Sequence, residues 1–214
     1  LRKFAYVISR KPNPLFILDR FINKRERGNL KEVFKKNFRN QIINAKFHFV
    51  EHHKSHLASA FFASSFNNAF VISIDGFGDF ASCAVGIGNK NKLSILDYVF
   101  FPHSLGTFYT AMTQFLGFPN YGDEYKVMGL APYGNPKYMN EMREIVNLKR
   151  NGKYELNLFY FNHATKRIPN QWREGQPILG KHYSDNLISL LGKDRSPDET
   201  INQFHKDIAA SVQL

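Results

Sequence analysis

EHHKSHLASA (residues 51–60) is followed by AFVISIDGFGDF (residues 69–80), and these two stretches decide the fold. Small residues with Leu57, Ala58, Ala60 and Phe61 predict a helix over His53 to Ala63. His52 and His56 stand four apart, which on a helix is the same face one turn up. Two imidazoles so placed can grip one divalent ion. Ala69–Asp75 predicts a strand, and Asp75 lies where that strand gives way to a glycine-bearing turn. Two nitrogens and one carboxylate oxygen form a metal site with coordination positions left for substrate.

Outward from this pair, the chain reads as a three-strand meander. Ala69–Asp75 is strand one, GFGD the first turn, Phe80–Gly88 strand two, NKNK the second turn and Leu93–Phe101 strand three. Ser104 then suits an N-cap for a helix with Leu105, Phe108, Met112 and Phe115 on one stripe, stopped at Gly117. Helices are predicted at Asp123–Leu130 and Lys137–Leu148, a turn at Asn151-Gly152, and a strand at Tyr154–Phe161. Gln171–Lys181 reads as loop. Ser196-Pro197-Asp198-Glu199 has the form of a capping box, opening a last helix with Ile201, Phe204, Ile208 and Val212 on its stripe. That stripe still runs at Leu214, as in a chain cut from something longer. Before the histidines, residues 1–8 read as a short strand or an element's tail. Leu15 to Phe38 reads as a helix in two pieces divided at Gly28 (Phe16, Ile17 and Phe21, then Leu30, Val33 and Phe34), and KFHFV (46–50) as a strand. The fold class is α/β. A hairpin carrying Asp-Gly-x-Gly, then a third strand and helices, fits part of an actin-like ATPase domain with an antiparallel-led mixed sheet flanked by helices.

Composition narrows the class. The 214 residues are 43% hydrophobic and 22% charged, ordinary for a globular protein. No apolar run approaches the roughly 20 residues of a membrane span. Cys83 is the only cysteine, so an internal disulfide is excluded and a reducing cytoplasm is expected. The net charge of +11 is concentrated: residues 1–40 hold twelve Lys/Arg against three Asp/Glu. This basic, mainly helical leading segment (1–50) suits phosphate, nucleic acid or an acidic partner, or is a solvated helical face. It lacks a zinc-finger spacing or an RNA-binding aromatic motif.

EHHKSHLASAFFASSF (51–66), VISIDGFGDF (71–80), FFPHSLGTFYTAMTQFLGF (100–118), GDEYKVMGLAPYGNPKY (122–138) and KDIAASVQ (206–213) together resemble the O-carbamoyltransferase family of nodulation-factor, cephamycin and tobramycin carbamoyltransferases (NodU/CmcH type). The resemblance covers nearly the whole chain. It implies an ASKHA, or Kae1-like, actin-like fold for residues 51–214 as an incomplete domain. A separate YrdC-like domain, absent from these residues, would make carbamoyl adenylate from carbamoyl phosphate and ATP. The carbamoyl group would pass to a hydroxyl of a sugar, glycolipid or antibiotic-like acceptor. The resemblance implies iron(II) on His52, His56, Asp75 and a further downstream aspartate, which is not found here. It therefore implies an internal fragment, inactive alone, whose exposed half-core favours self-association as a homo-oligomer.

Other residues have two readings each. Gly76 and Gly78 would let the backbone approach a nucleotide. Lys126 pairs a phosphate, or pairs Asp123 or Glu124 on a turn. His103 hydrogen-bonds substrate or braces the start of a helix. His53 supports the site or the core, and Asp79 suits a hairpin cap. Phe108, Phe115, Phe118 and Tyr121 read as core, and Cys83 as a packed thiol. The rival enzyme is a tRNA threonylcarbamoyl transferase, which the basic segment would suit, although EYKVMGLAPYG and FPHSLG resemble the O-carbamoyl branch. A sugar-kinase-like ATPase shares the fold class. A non-catalytic basic module would dock its partner through Lys35, Lys36 and Arg39.

Overall fold

The computed structural model describes residues 2–15, 17–18, 30–38, 44–166, 168, 170–173 and 176–214. They fall into two units, Leu1–Glu51 with Thr165–Arg167, and His52–Ala164 with Ile168–Leu214. In the first unit, the stretch that reads as a short strand or an element's tail is the helix α1 (Arg2–Arg10). A lone strand would leave its backbone groups unpaired, whereas a helix satisfies its own. α1 ends where Lys11, the first residue of KPNP, turns to φ +44. α2 (Leu30–Asn37) is the second predicted helical piece. Gly28, Phe16 and Phe21 lie outside the described residues. KFHFV carries no strand pairing.

The second unit begins with α3 (His52–Phe62). Its buried stripe is His53, Leu57 and Phe61, each four residues on. The meander follows as β1 (Asn68–Gly78), β2 (Ala81–Asn89) and β3 (Lys92–Phe100), antiparallel in the order β1-β2-β3. Leu57 and Phe61 pack with Val71 and Ala84 on one face of this sheet. The first turn sits later than GFGD predicts. β1 runs on through an irregularity between Ile74 and Gly78, and Gly78 pairs with Ala81. Asp79 and Phe80 form a two-residue turn, both with positive φ (+50 and +76), as a tight hairpin of this hand requires. Phe80 tolerates that backbone because its ring packs on Phe101 at 5.5 Å and its carbonyl accepts the Phe101 N–H at 3.0 Å.

α4 (Leu105–Phe115) starts at Ser104, whose hydroxyl accepts the Thr107 N–H, as the sequence predicts, and ends before Gly117 at φ +77. α5 (Glu124–Leu130) runs into a short 3-10 turn, Ala131–Tyr133. α6 (Met139–Ile145) is shorter than predicted, because Val146–Leu148 leaves it as β4 to pair antiparallel with β5 (Tyr154–Leu156). The rest of the predicted last strand is a 3-10 turn at Leu158–Tyr160. The predicted loop at 171–181 holds a hairpin of β6 (Asn170–Arg173) and β7 (Gln176–Leu179). α7 is Asp185–Leu191 and α8 is Gln203–Gln213.

α8 starts six residues later than the Ser-Pro-Asp-Glu signal predicts. Glu199 does reach back to the Ser196 N–H at 3.3 Å. However, the buried Arg195 guanidinium collects the carbonyls of Ser196, Pro197 and Glu199 at 2.7–3.0 Å, which turns them away from a helical ladder. Asn202 and His205 form the reciprocal cap instead.

The main core joins α4 to α8: Phe108, Met112, Phe115, Leu116, Val127, Ile145, Leu187 and Ile208. Each fully buried side chain of this size contributes about 1.5–3 kcal/mol relative to exposure. Phe108 and Phe115 are core as predicted, and so is the Cys83 thiol, but Tyr121 is two-thirds exposed. Two of the sequence motifs meet here. Asp207 on α8 accepts from the Asn135 N–H at 2.8 Å and pairs with Lys137 at 2.8 Å, while Ser211 accepts the Tyr138 N–H at 3.0 Å. The architecture is mixed α/β, and every strand pairing among the described residues is antiparallel. No helix among them is long and apolar enough to cross a membrane.

His163 is buried among Phe77, Phe101 and Phe161, and its Nε2–H donates to the Pro102 carbonyl at 2.7 Å. Burial is the main force pushing its pKa down, to about 4 from an ordinary 6.5. A neutral buried histidine must charge on unfolding in acid. Its contribution is therefore complete above pH 6.5 and is lost as the pH falls toward about 4. That contribution is on the order of 3 kcal/mol. His163→Phe should accordingly flatten the fall of the thermal midpoint between those limits. Parallel curves for the two proteins would exclude this role.

Candidate metal centre

The buried stripe of α3 sets where its other histidines stand. His53 is fully buried and its Nδ1 lies 2.9 Å from Ser73 Oγ on β1, so the ring chosen for the sheet is His53. His52 and His56 flank that stripe at the helix's N-terminal end. β1 alternates Val71 and Ser73 inward with Phe70, Ile72 and Ile74 outward. Continuing that alternation, Asp75 falls on the α3 side.

The three side chains meet. His52 Nε2 is 2.7 Å from Asp75 Oδ2, His56 Nε2 is 3.5 Å from the same oxygen, and the two ring nitrogens are 3.0 Å apart. Among the described residues, this is the one group of three such side chains with mutually close donor atoms. Donor atoms each about 2.1 Å from one ion lie about 3.0 Å apart at right angles and about 3.4 Å apart in a tetrahedron. The observed triangle, at 2.7, 3.0 and 3.5 Å, is close to that spacing, and it would form one face of a coordination sphere. All three side chains are partly exposed, between 38% and 51%, so the open side is accessible.

Burial pushes the Asp75 carboxyl up, but the His52 ring, the Gly76 N–H and the charges of His52 and His56 outweigh it and hold it below its ordinary range. Oδ1 accepts the Gly76 N–H at 2.6 Å, which leaves Oδ2 facing the histidines. The backbone is held from behind. Ser104, the cap of α4, also donates its hydroxyl to the Asp75 carbonyl at 3.0 Å. Gly106 in the first turn of α4 approaches so closely that a Cβ there would lie 2.8 Å from the Gly76 nitrogen and 2.9 Å from the Asp75 carbonyl oxygen.

The remaining sequence candidates divide between this site and the scaffold. Gly76 faces open space. Gly78 lies under the His52 ring, where a Cβ would be 2.0 Å from Cδ2. Asp79 accepts the His52 N–H at 3.0 Å. His103 accepts the Leu156 N–H at Nδ1 (3.1 Å), joining the start of α4 to β5. Lys126 is 2.7 Å from the buried Asp123 carboxylate, whose hydrogen bond raises the lysine's pKa. Ser104 was legible as a cap, but its bond to Asp75 spans 29 residues and leaves no local signal. Gly106 had one: glycine is a poor helix former, and one inside the first turn signals a close approach.

The family model described as "Carbamoyltransferase N-terminus" matches residues 5–214. An uncharacterised Synechocystis protein, sll1178, is 42% identical over 168 residues, 78% of this chain and 25% of its own length. Nodulation protein NolNO of Sinorhizobium fredii is 34% identical over 154 residues, 72% of this chain and 22% of its own. Nodulation protein NolO of Bradyrhizobium diazoefficiens is 38% identical over 136 residues, 62% of this chain and 24% of its own. The chain thus spans about a quarter of the length of these relatives.

The paired substitution His52→Ala with His56→Ala should abolish uptake of iron(II) or cobalt(II) measured by elemental analysis after dialysis. Asp75→Asn should lower affinity by more than the roughly 10–100-fold that loss of an outer hydrogen-bond partner costs. Unchanged metal content in the double variant would remove the site.

Proposed function

The chain belongs to the carbamoyltransferase N-terminal family, and on that premise we propose that it is the metal-holding part of an O-carbamoyltransferase. The observation that carries the proposal is the convergence of His52, His56 and Asp75 on one point. The donor set suits iron(II), and an actin-like, Kae1-like domain is the proposed setting. The proposed donor is carbamoyl adenylate, made from carbamoyl phosphate and ATP by a YrdC-like domain elsewhere in the protein. The proposed acceptor is a hydroxyl of a sugar, glycolipid or antibiotic-like molecule.

Carbamoyl adenylate is a mixed anhydride. Transfer forms a bond from the acceptor oxygen to the carbamoyl carbon and breaks the anhydride C–O bond. AMP leaves with the electron pair, and the hydroxyl proton is released. A divalent ion held by these three side chains would supply Lewis acidity. The chain's own residues do the rest. His52 and His56 offer ring nitrogens and Asp75 offers Oδ2, while Ser104 and Gly106 keep the Asp75 backbone from retreating. Gly76, with nothing opposite its Cα, leaves room for the donor beside the carboxylate. Lys126 is occupied by Asp123, so its charge reaches a phosphate only by leaving that pair.

A hydrolysis-resistant analogue of carbamoyl adenylate should bind the metal-loaded protein at least about tenfold more tightly than the metal-free protein, a difference of about 1.4 kcal/mol. Calorimetry on both forms measures this. Equal affinities, or a preference for tRNA with a steep salt dependence, would refute the assignment.

A further inference from the structure

His52 opens α3, and its N–H belongs to the first turn, where a helix offers no acceptor of its own. The acceptor here comes from 27 residues away: Asp79 Oδ2 lies 3.0 Å from the His52 nitrogen. A carboxylate at a helix N-terminus satisfies the N–H and suits the positive end of the helix. Asp79 is the first residue of the two-residue turn between β1 and β2, with φ +50, a conformation aspartate tolerates better than most residues. The same turn supplies a second, separate contact. Gly78 precedes Asp79, and the His52 ring fills the space where a Cβ on Gly78 would stand.

We propose that the Gly78–Asp79 turn is a positioning clamp for the metal centre, in which Asp79 fixes the backbone of His52 and the bare Gly78 fixes the face of its ring. This rests on His52, His56 and Asp75 holding a cation. His56 sits one turn deeper in the helix and is held by the helix's own ladder. His52 stands at the end that frays first, so an outside anchor matters for it alone among the two histidines. The clamp also joins the ligands through one element. Asp75 and Asp79 lie on the same hairpin, so a shift of that hairpin carries the carboxylate ligand and the anchor of His52 together.

The test uses cobalt(II) as the probe in the full chain. Its visible absorption reports the number and arrangement of donors, separately from any activity. Asp79→Ala should weaken cobalt binding about tenfold and change the cobalt spectrum, with circular dichroism unchanged. Asp79→Asn should restore both, since asparagine caps a helix as well as aspartate. Gly78→Ala keeps the cap but intrudes on the ring, and should weaken binding to a similar degree. It also serves as the test should Asp79→Ala fail to fold. Wild-type affinity and spectrum in Asp79→Ala or Gly78→Ala, with binding still lost in His56→Ala, would overturn the clamp alone. Absence of cobalt binding by the wild-type protein would overturn the metal site and the clamp together.

Discussion

The packing of His53, Leu57 and Phe61 against the β1–β2 sheet is the constraint from which the site follows. Once that stripe is committed to the sheet, the rotation of α3 about its axis is fixed. His52 and His56 must then flank the buried face, and the alternation of β1 must bring Asp75 to meet them. A rotation of one residue would bury a different ring and take the pair away from the carboxylate. The contact between His53 and Ser73 reinforces this, because a buried imidazole is tolerated where a polar partner is provided.

The rest of the second unit works as a backing for that arrangement. α4 begins directly behind Asp75, and its capping serine serves both the helix and the strand. The far end of α4 is tied down by Arg195, whose Nε donates to the Leu116 carbonyl at 2.8 Å. α8 receives the loop after α5 through Asp207 and Ser211. The Lys137 ammonium, the Asn135 N–H and the Gln203 amide hold the Asp207 carboxyl down to about 2. Long-range polar contacts of this kind give the helices a fixed register where apolar packing alone allows sliding.

Long periodic elements with clear ends were legible. The three-strand meander, the serine-capped α4 and the histidine helix all carry a pattern that repeats within the element. Local pattern and final structure part where a partner decides the outcome. Residues 2–8 are apolar enough for a short strand, but no strand among the described residues pairs with them. Val146–Leu148 continues a helical stripe, yet pairs with β5 across a turn. The Ser-Pro-Asp-Glu box has the right residues, but a guanidinium from the preceding position captures the carbonyls that a helix would need. The stretch from 171 lacked strong apolar alternation, and its pairing partner supplied the order instead.

For the site, local sequence determined which groups could bind a cation: two histidines at helical spacing, and an aspartate at the end of an apolar strand. Spacing along one helix is a matter of covalent geometry, so the same-face relation of His52 and His56 needed no fold to establish it. Only tertiary structure decided that Asp75 meets them, that His53 does not, and that Ser104, Gly106, Gly78 and Asp79 pack around the three side chains. Those contacts span tens of residues. They arise from the docking of a helix on a sheet, a relation between surfaces that no local pattern encodes.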